Sequence, residues 1–132
     1  MADGYRPTPG DTHTHERTFT RADVEQFAEV SGDAQPIHTE PDEEGRLVVQ
    51  GLLIATLPTK IGGDLEVLAS RMTYEFHQPV YTGETITCVW TNESVTERAD
   101  RYELSVSLSC TNEAGTEVMS GETDGVVWKD GD

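Results

Sequence analysis

The sequence predicts an α+β domain in which a long antiparallel sheet wraps around one central buried helix, with a second, short amphipathic helix beside it. Three observations predict this. The second half of the 132-residue chain alternates apolar and polar residues in four stretches parted by turn-forming residues. The run from Val48 to Ile61 is apolar nearly all round, as a helix covered on every side must be. In residues 21–31, Val24, Phe27, Ala28 and the small Ser31 follow the i, i+3, i+4, i+7 rhythm of a surface helix with one buried stripe. A chain of this length is sufficient for one core and one domain.

Taken in order, residues 1–12 are rich in Gly, Pro, Asp and Thr and are expected to form a flexible N-terminal arm, leaving 13–132 as the folded domain. THERTFT (14–20) is short and β-prone. Thr20 can cap the following helix, with Asp23 at the reciprocal position of a capping box, and Val24, Phe27, Ala28 and Ser31 form its stripe until Gly32 stops it. A polar loop, PDEEGRL, leads to the apolar run. Pro58 inside that run should free the carbonyl of Ile54 and kink the axis, and Gly62-Gly63 should end the helix. The strands then follow as 65–76, 84–94, 101–110 and 116–128. In the third, Leu104, Val106, Leu108 and Cys110 face one way and Glu103, Ser105, Ser107 and Ser109 the other. A turn centred near Ala99 sets Cys88 opposite Cys110, which are expected to be two small reduced thiols in a cytosolic setting, with a disulfide between them as the alternative.

Charge excludes whole classes of partner. Asp and Glu number 25 against 9 Lys and Arg, a net charge of −16. Nucleic-acid phosphates and anionic membrane surfaces both need a positive footprint that this chain lacks. The acidic residues are scattered and lysine is nearly absent, the surface expected of a protein adapted to concentrated salt, where screening suppresses self-repulsion. No apolar window is long enough for a membrane span and the N-terminus has no apolar signal region, so the expected location is cytoplasmic. The cysteines lack zinc-ligand spacing, and His13 and His15 have no carboxylate or cysteine cluster beside them, so no metal is expected. His77 reads as a surface strand residue.

The stretch Ser31-Gly32-Asp33-Ala34-Gln35-Pro36-Ile37-His38 places a carboxylate and an imidazole five residues apart across a chain that Pro36 turns. It resembles the motif S-G-D-x-N-P-[LIV]-H of the MaoC-like, (R)-specific enoyl-CoA hydratases. VVQGLL (48–53) is similar to that family's I-V-H-G-M-L, and FHQPVYTGETI (76–86) to its F-x-x-P-V-x-x-G-D-T-L. The resemblance implies a single hot-dog domain. It implies Asp33 and His38 as the catalytic acid–base pair, Gly51 as the oxyanion donor, Thr59 near the substrate and an acyl-CoA thioester as substrate, with no metal or organic cofactor. Two departures stand out: Gln35 replaces the usual Asn, and the segment from His38 to Gly51 is shorter than is usual in the family.

The chemistry suits the residues. Hydrating a trans-2-enoyl thioester to an (R)-3-hydroxyacyl thioester needs a base for water, an acid for the α-carbon and a donor for the enolate oxygen. Asp33 and His38 can supply the first two. A glycine at a helix start lets a carbonyl oxygen approach an unpaired N–H. Asp33 after a helix-stopping glycine equally suits an Asx turn. A hot-dog acyl thioesterase, which does not normally need this pair, and a non-catalytic acyl-thioester-binding subunit, favoured by the short 39–50 loop, are the competing functions. One apolar helix cannot cover the faces and edges of the sheet, so a homodimer is expected.

Uncompensated negative charge repels at low ionic strength and is screened at high. The unfolding midpoint should therefore rise between low and molar potassium chloride, and a flat or falling midpoint would contradict the salt-adapted reading.

Overall fold

The computed structural model describes residues 4–129. Residues 1–3 of the expected arm and 130–132 of the expected domain lie outside the described residues. Five strands, β1 (Thr12–Thr18), β2 (Leu68–Phe76), β3 (Thr85–Glu97), β4 (Arg101–Thr111) and β5 (Glu117–Trp128), form one antiparallel sheet in the order β1-β3-β4-β5-β2. Helices α1 (Arg21–Ser31) and α2 (Pro36–Thr39) follow β1, and α3 (Gly51–Ile54) and α4 (Thr56–Leu65) precede β2. This is the α+β layout the sequence predicts.

The local signals for α1 operate as expected. The Thr20 hydroxyl accepts from the Asp23 N–H, the Asp23 carboxylate accepts from the Thr20 N–H, and Gly32 closes the helix with φ 79°. Val24 and Ala28 are its buried residues.

The central helix begins at Gly51, the glycine expected at its start, but the apolar run before it is not helical and its C-terminal end differs from expectation. Val48, Val49 and Gln50 are extended, Val48 bridging to Tyr81 and the Val49 N–H donating to the Val80 carbonyl. The helix begins at Gly51 and breaks at Ala55 between α3 and α4, within reach of the Pro58 ring, as proline chemistry requires. Gly62-Gly63 does not end it. The helix runs on to Leu65 and stops at Glu66, which takes φ 60°. Packing explains this: Gly62 lies under Trp90, whose ring would be 3.5 Å from any added Cβ, and Leu57, Ile61 and Gly62 are buried on the sheet. Burying large apolar side chains stabilises by about 1.5–3 kcal/mol each, more than the roughly 1 kcal/mol each glycine costs. The next strand consequently begins at Leu68 rather than Leu65.

The inner face of the sheet carries Ile86, Cys88, Trp90, Leu104, Val106, Leu108, Cys110, Val118 and Met119, all buried against the helix. On β4 the buried and half-buried residues alternate as the sequence predicts. Cys88 and Cys110 are direct partners in the register, both buried and both free thiols. The Cys88 sulfur and burial together push the Cys110 thiol well up. The described residues before β1 run beside β3: the Gly10 N–H donates to the Asn92 carbonyl, and the Asn92 amide donates to Tyr5 Oη and the Thr8 carbonyl.

Burial works against ionisation of the Asp23 carboxyl, but the Thr20 N–H and hydroxyl and the Arg17 guanidinium outweigh it and hold its pKa below the usual value. A depressed folded pKa contributes stability above the unfolded value and loses it as pH falls through the folded one. Asp23→Ala should cost about 0.3–1 kcal/mol at pH 7, and the difference from wild type in urea titrations should shrink as pH falls below the usual carboxylate range.

Candidate active site

Short-range chain geometry brings Asp33 and His38 together. Gly32, in the left-handed conformation, turns the chain out of α1, and Ser31 Oγ accepts from the Asp33 N–H at 3.0 Å. Pro36, expected only to turn the chain, starts α2, a single helical turn; its fixed φ is ready-made for a first helical position. That turn swings His38 inward, where it is 4 % exposed.

The imidazole is fixed at one end and presented at the other. His38 Nδ1 lies 2.7 Å from the Val48 carbonyl, which can only accept, so Nδ1 carries the proton and donates. Nε2 then faces Asp33 Oδ2 at 3.5 Å. Gln35 Nε2 donates to the other carboxylate oxygen, Oδ1, at 2.9 Å. One oxygen of Asp33 is thereby held while the second shares a space with the histidine, and the carboxylate itself is partly open to solvent.

Both side chains line a cleft of about 810 Å³. Its far wall comes from the end of β2 and the loop after it, Phe76 to Val80, and its floor from Val49, Gly51 and Ile54. Gly51 is the first residue of α3, and its N–H has no acceptor four residues back in the chain. The residue has to be small. A Cβ here would come within 2.9 Å of the Phe76 ring.

Asp33, His38 and Gly51 therefore share one cleft. Thr59 does not join them. It lies two helical turns past Gly51, about 12 Å along the axis at 1.5 Å per residue, in a separate apolar cleft of about 360 Å³ with Gly62, Met72, Tyr74 and Trp90. Its hydroxyl donates to the Ala55 carbonyl at 2.9 Å. His77, read from the sequence as a surface strand residue, is exposed and lies one residue past β2 on the rim of the first cleft, with Nε2 2.8 Å from Ser120 Oγ. Phe27, Gln50 and Phe76 line the cleft without having been singled out. The one signal for Gln50 is a polar residue inside an apolar run. Phe27 and Phe76 look like core residues in any one-dimensional reading.

Among the described residues no group of three or more His, Cys, Asp or Glu side chains is placed to hold a metal ion. Among them, too, no helix is long and apolar enough to cross a membrane.

The profile of the MaoC like domain matches residues 6–114. The mitochondrial 3-hydroxyacyl-[acyl-carrier-protein] dehydratase of Arabidopsis thaliana is 28 % identical over 127 residues, 89 % of this chain and 76 % of that protein. The (R)-hydratase of A. caviae involved in PHA biosynthesis superposes with a TM-score of 0.79 at 22 % identity, covering 89 % of this chain and 95 % of that one. The R-hydratase PhaJ1 of Pseudomonas aeruginosa gives 0.81 at 19 % identity, covering 95 % and 84 %. At those identities the structural likeness speaks for the fold, a hot dog.

Proposed function

The chain belongs to the MaoC-like family of hydratases and dehydratases, and from that premise we propose that it interconverts trans-2-enoyl-CoA and (R)-3-hydroxyacyl-CoA. The observation that carries the reading is the opposed pair at 3.5 Å, Asp33 Oδ2 and His38 Nε2, with the histidine tautomer fixed by the Val48 carbonyl.

In the hydration direction a water sits between the carboxylate and the imidazole. As its oxygen adds to C3 of the enoyl group, Asp33 accepts one of its protons, and the pair returns a proton to C2, so that H and OH are added across the double bond. Acid–base assistance of this kind contributes about 10²–10⁴ in rate. The negative charge that develops on the thioester oxygen is met by the Gly51 N–H. A donor aimed at such an oxyanion contributes about 10²–10³. Nothing in this scheme calls for a metal or an organic cofactor. Thr59 has no part in it.

Two carriers suit the thioester. The name of the Arabidopsis relative points to an acyl-carrier protein. Coenzyme A is also anionic, but it presents a small charged group where an acidic carrier protein would dock a whole like-charged surface on a chain of net charge −16, so coenzyme A is the better fit. The two free, buried thiols suit a cytoplasmic setting.

The enzyme is further proposed to act as a homodimer. Strand β2 is an edge of the sheet, and Leu68, Met72 and Phe76 along it are about half exposed or more, as is Leu52 on the adjoining helix. An open strand edge beside apolar side chains is a template for a second copy. Sedimentation of the folded protein in molar salt should give twice the chain mass; monomer alone would refute this.

Crotonyl-CoA in molar potassium chloride is the direct substrate test. Loss of the enoyl absorbance without thiol release, giving the (R) product, supports the assignment. Thiol release would indicate a thioesterase, an (S) product a different active-site geometry, and turnover only of carrier-protein thioesters the second carrier. Asp33→Asn is the cleaner substitution, since His38 also holds the Val48 carbonyl. It should lower the rate at least about 10²-fold with the unfolding curve unchanged. Adding His38→Gln should cost little more, because groups that act on one water are non-additive.

A further inference from the structure

Gln50 is the one side chain with a buried polar atom that has no hydrogen-bond partner among the described residues: Oε1. The residue is 3 % exposed, lies in the wall of the cleft and immediately precedes Gly51. A leucine or methionine would fill a similar volume without an unpaired acceptor, and a buried orphan in an otherwise apolar run calls for a reason.

The rest of the residue suggests what that reason is. Gln50 Nε2 donates to the Val24 carbonyl of α1 at 3.0 Å, across a buried seam. Its own carbonyl accepts the N–H groups of Leu53 at 3.0 Å and Ile54 at 3.1 Å, the bonds that build the first turn of α3. One residue thus grips α1 with its side chain and starts the central helix with its main chain. Helix α1 leads through Gly32 directly to Asp33 and on to His38. The first turn of α3 carries Gly51.

We infer that Gln50 is a positioning residue: the Gln50–Val24 bond sets the placement of the Gly51 N–H relative to the Asp33–His38 pair, and the unpaired Oε1 is the cost of keeping an amide there. The inference rests on the hydratase reading for its catalytic consequence, but the placement of Gly51 is measurable without it. Reactions of this kind are sensitive to such placement: misalignment by about 1 Å lowers rates on the order of 10²-fold.

The experiment compares wild type with Gln50→Leu, Gln50→Met and Gln50→His. In the Leu and Met variants kcat on crotonyl-CoA should fall about 10- to 100-fold, with KM within about threefold. Their unfolding midpoints should stay level or rise, because the orphan acceptor is gone. A purely structural residue would lose stability and activity together. Gln50→His retains a ring N–H for the Val24 carbonyl and should recover most of the rate. The second readout is the backbone amide resonance of Gly51 in ¹⁵N-labelled protein, which should move in the Leu and Met variants and return toward wild type in the His variant. Rates within about threefold of wild type in both apolar variants, activity lost in step with stability, or an unmoved Gly51 amide would each overturn the inference. Should wild type itself be inactive on crotonyl-CoA, the hydratase reading is what fails, and the Gly51 resonance alone decides for or against the role of Gln50.

Discussion

Burial of the helix at 51–65 against the inner face of the sheet is the constraint on which the other features depend. Leu53, Ile54, Leu57 and Ile61 go into that contact, at about 1.5–3 kcal/mol each. The capping box on α1 is worth about 1 kcal/mol, and exposed ion pairs at most about that. Apolar burial therefore prevails wherever local and tertiary preferences conflict. It carries the helix through Pro58 at the cost of a break, and through two glycines that in isolation would have ended it. It also leaves Leu52, Thr59, Lys60 and Asp64 on the uncovered side, so a single chain has cover for only one face of its own central element.

The site exists because two chain segments meet at the head of that helix. Asp33 and His38 come from one turn-rich stretch after α1, and their separation is governed by Gly32 and by the single turn of α2. The extended residues Val48 and Val49 tie that stretch to the rest: the Val48 N–H donates to the Ile37 carbonyl, the Val48 carbonyl holds His38, and Val49 is bonded to Val80 on the opposite wall. The short segment between His38 and Gly51 therefore spans the cleft without a long lid. The carboxylate stays partly open to solvent while the imidazole is buried, which gives one exposed and one enclosed member to the pair.

Charge belongs to another level of the molecule. Seven of the nine Lys and Arg residues take part in ion pairs with nearby carboxylates, most of them exposed. Among the described residues, most of the acidic side chains have no Lys or Arg partner. Such pairs do little to specify a fold. They are compatible with a core of ordinary composition.

Local pattern was enough for the α+β class, the limits of α1 to the residue, the alternation of β4 and the opposition of Cys88 to Cys110. Each rests on periodicity or a fixed chain register, which a one-dimensional string records fully. The pairing of Asp33 with His38 was also legible, through a motif whose members are close in sequence, and the place of Gly51 beside them through the resemblance of a second motif, 48–53. Long-range packing settled the C-terminal end of the central helix, the removal of Thr59 to another cleft and the arrival of Phe76, His77 and Gln50 around the pair. These depend on which distant side chains the sheet's curl brings against the helix. Trp90 over Gly62 and Phe76 over Gly51 are contacts between residues more than twenty positions apart, and burial at that range outweighs the local propensities on which sequence reading relies.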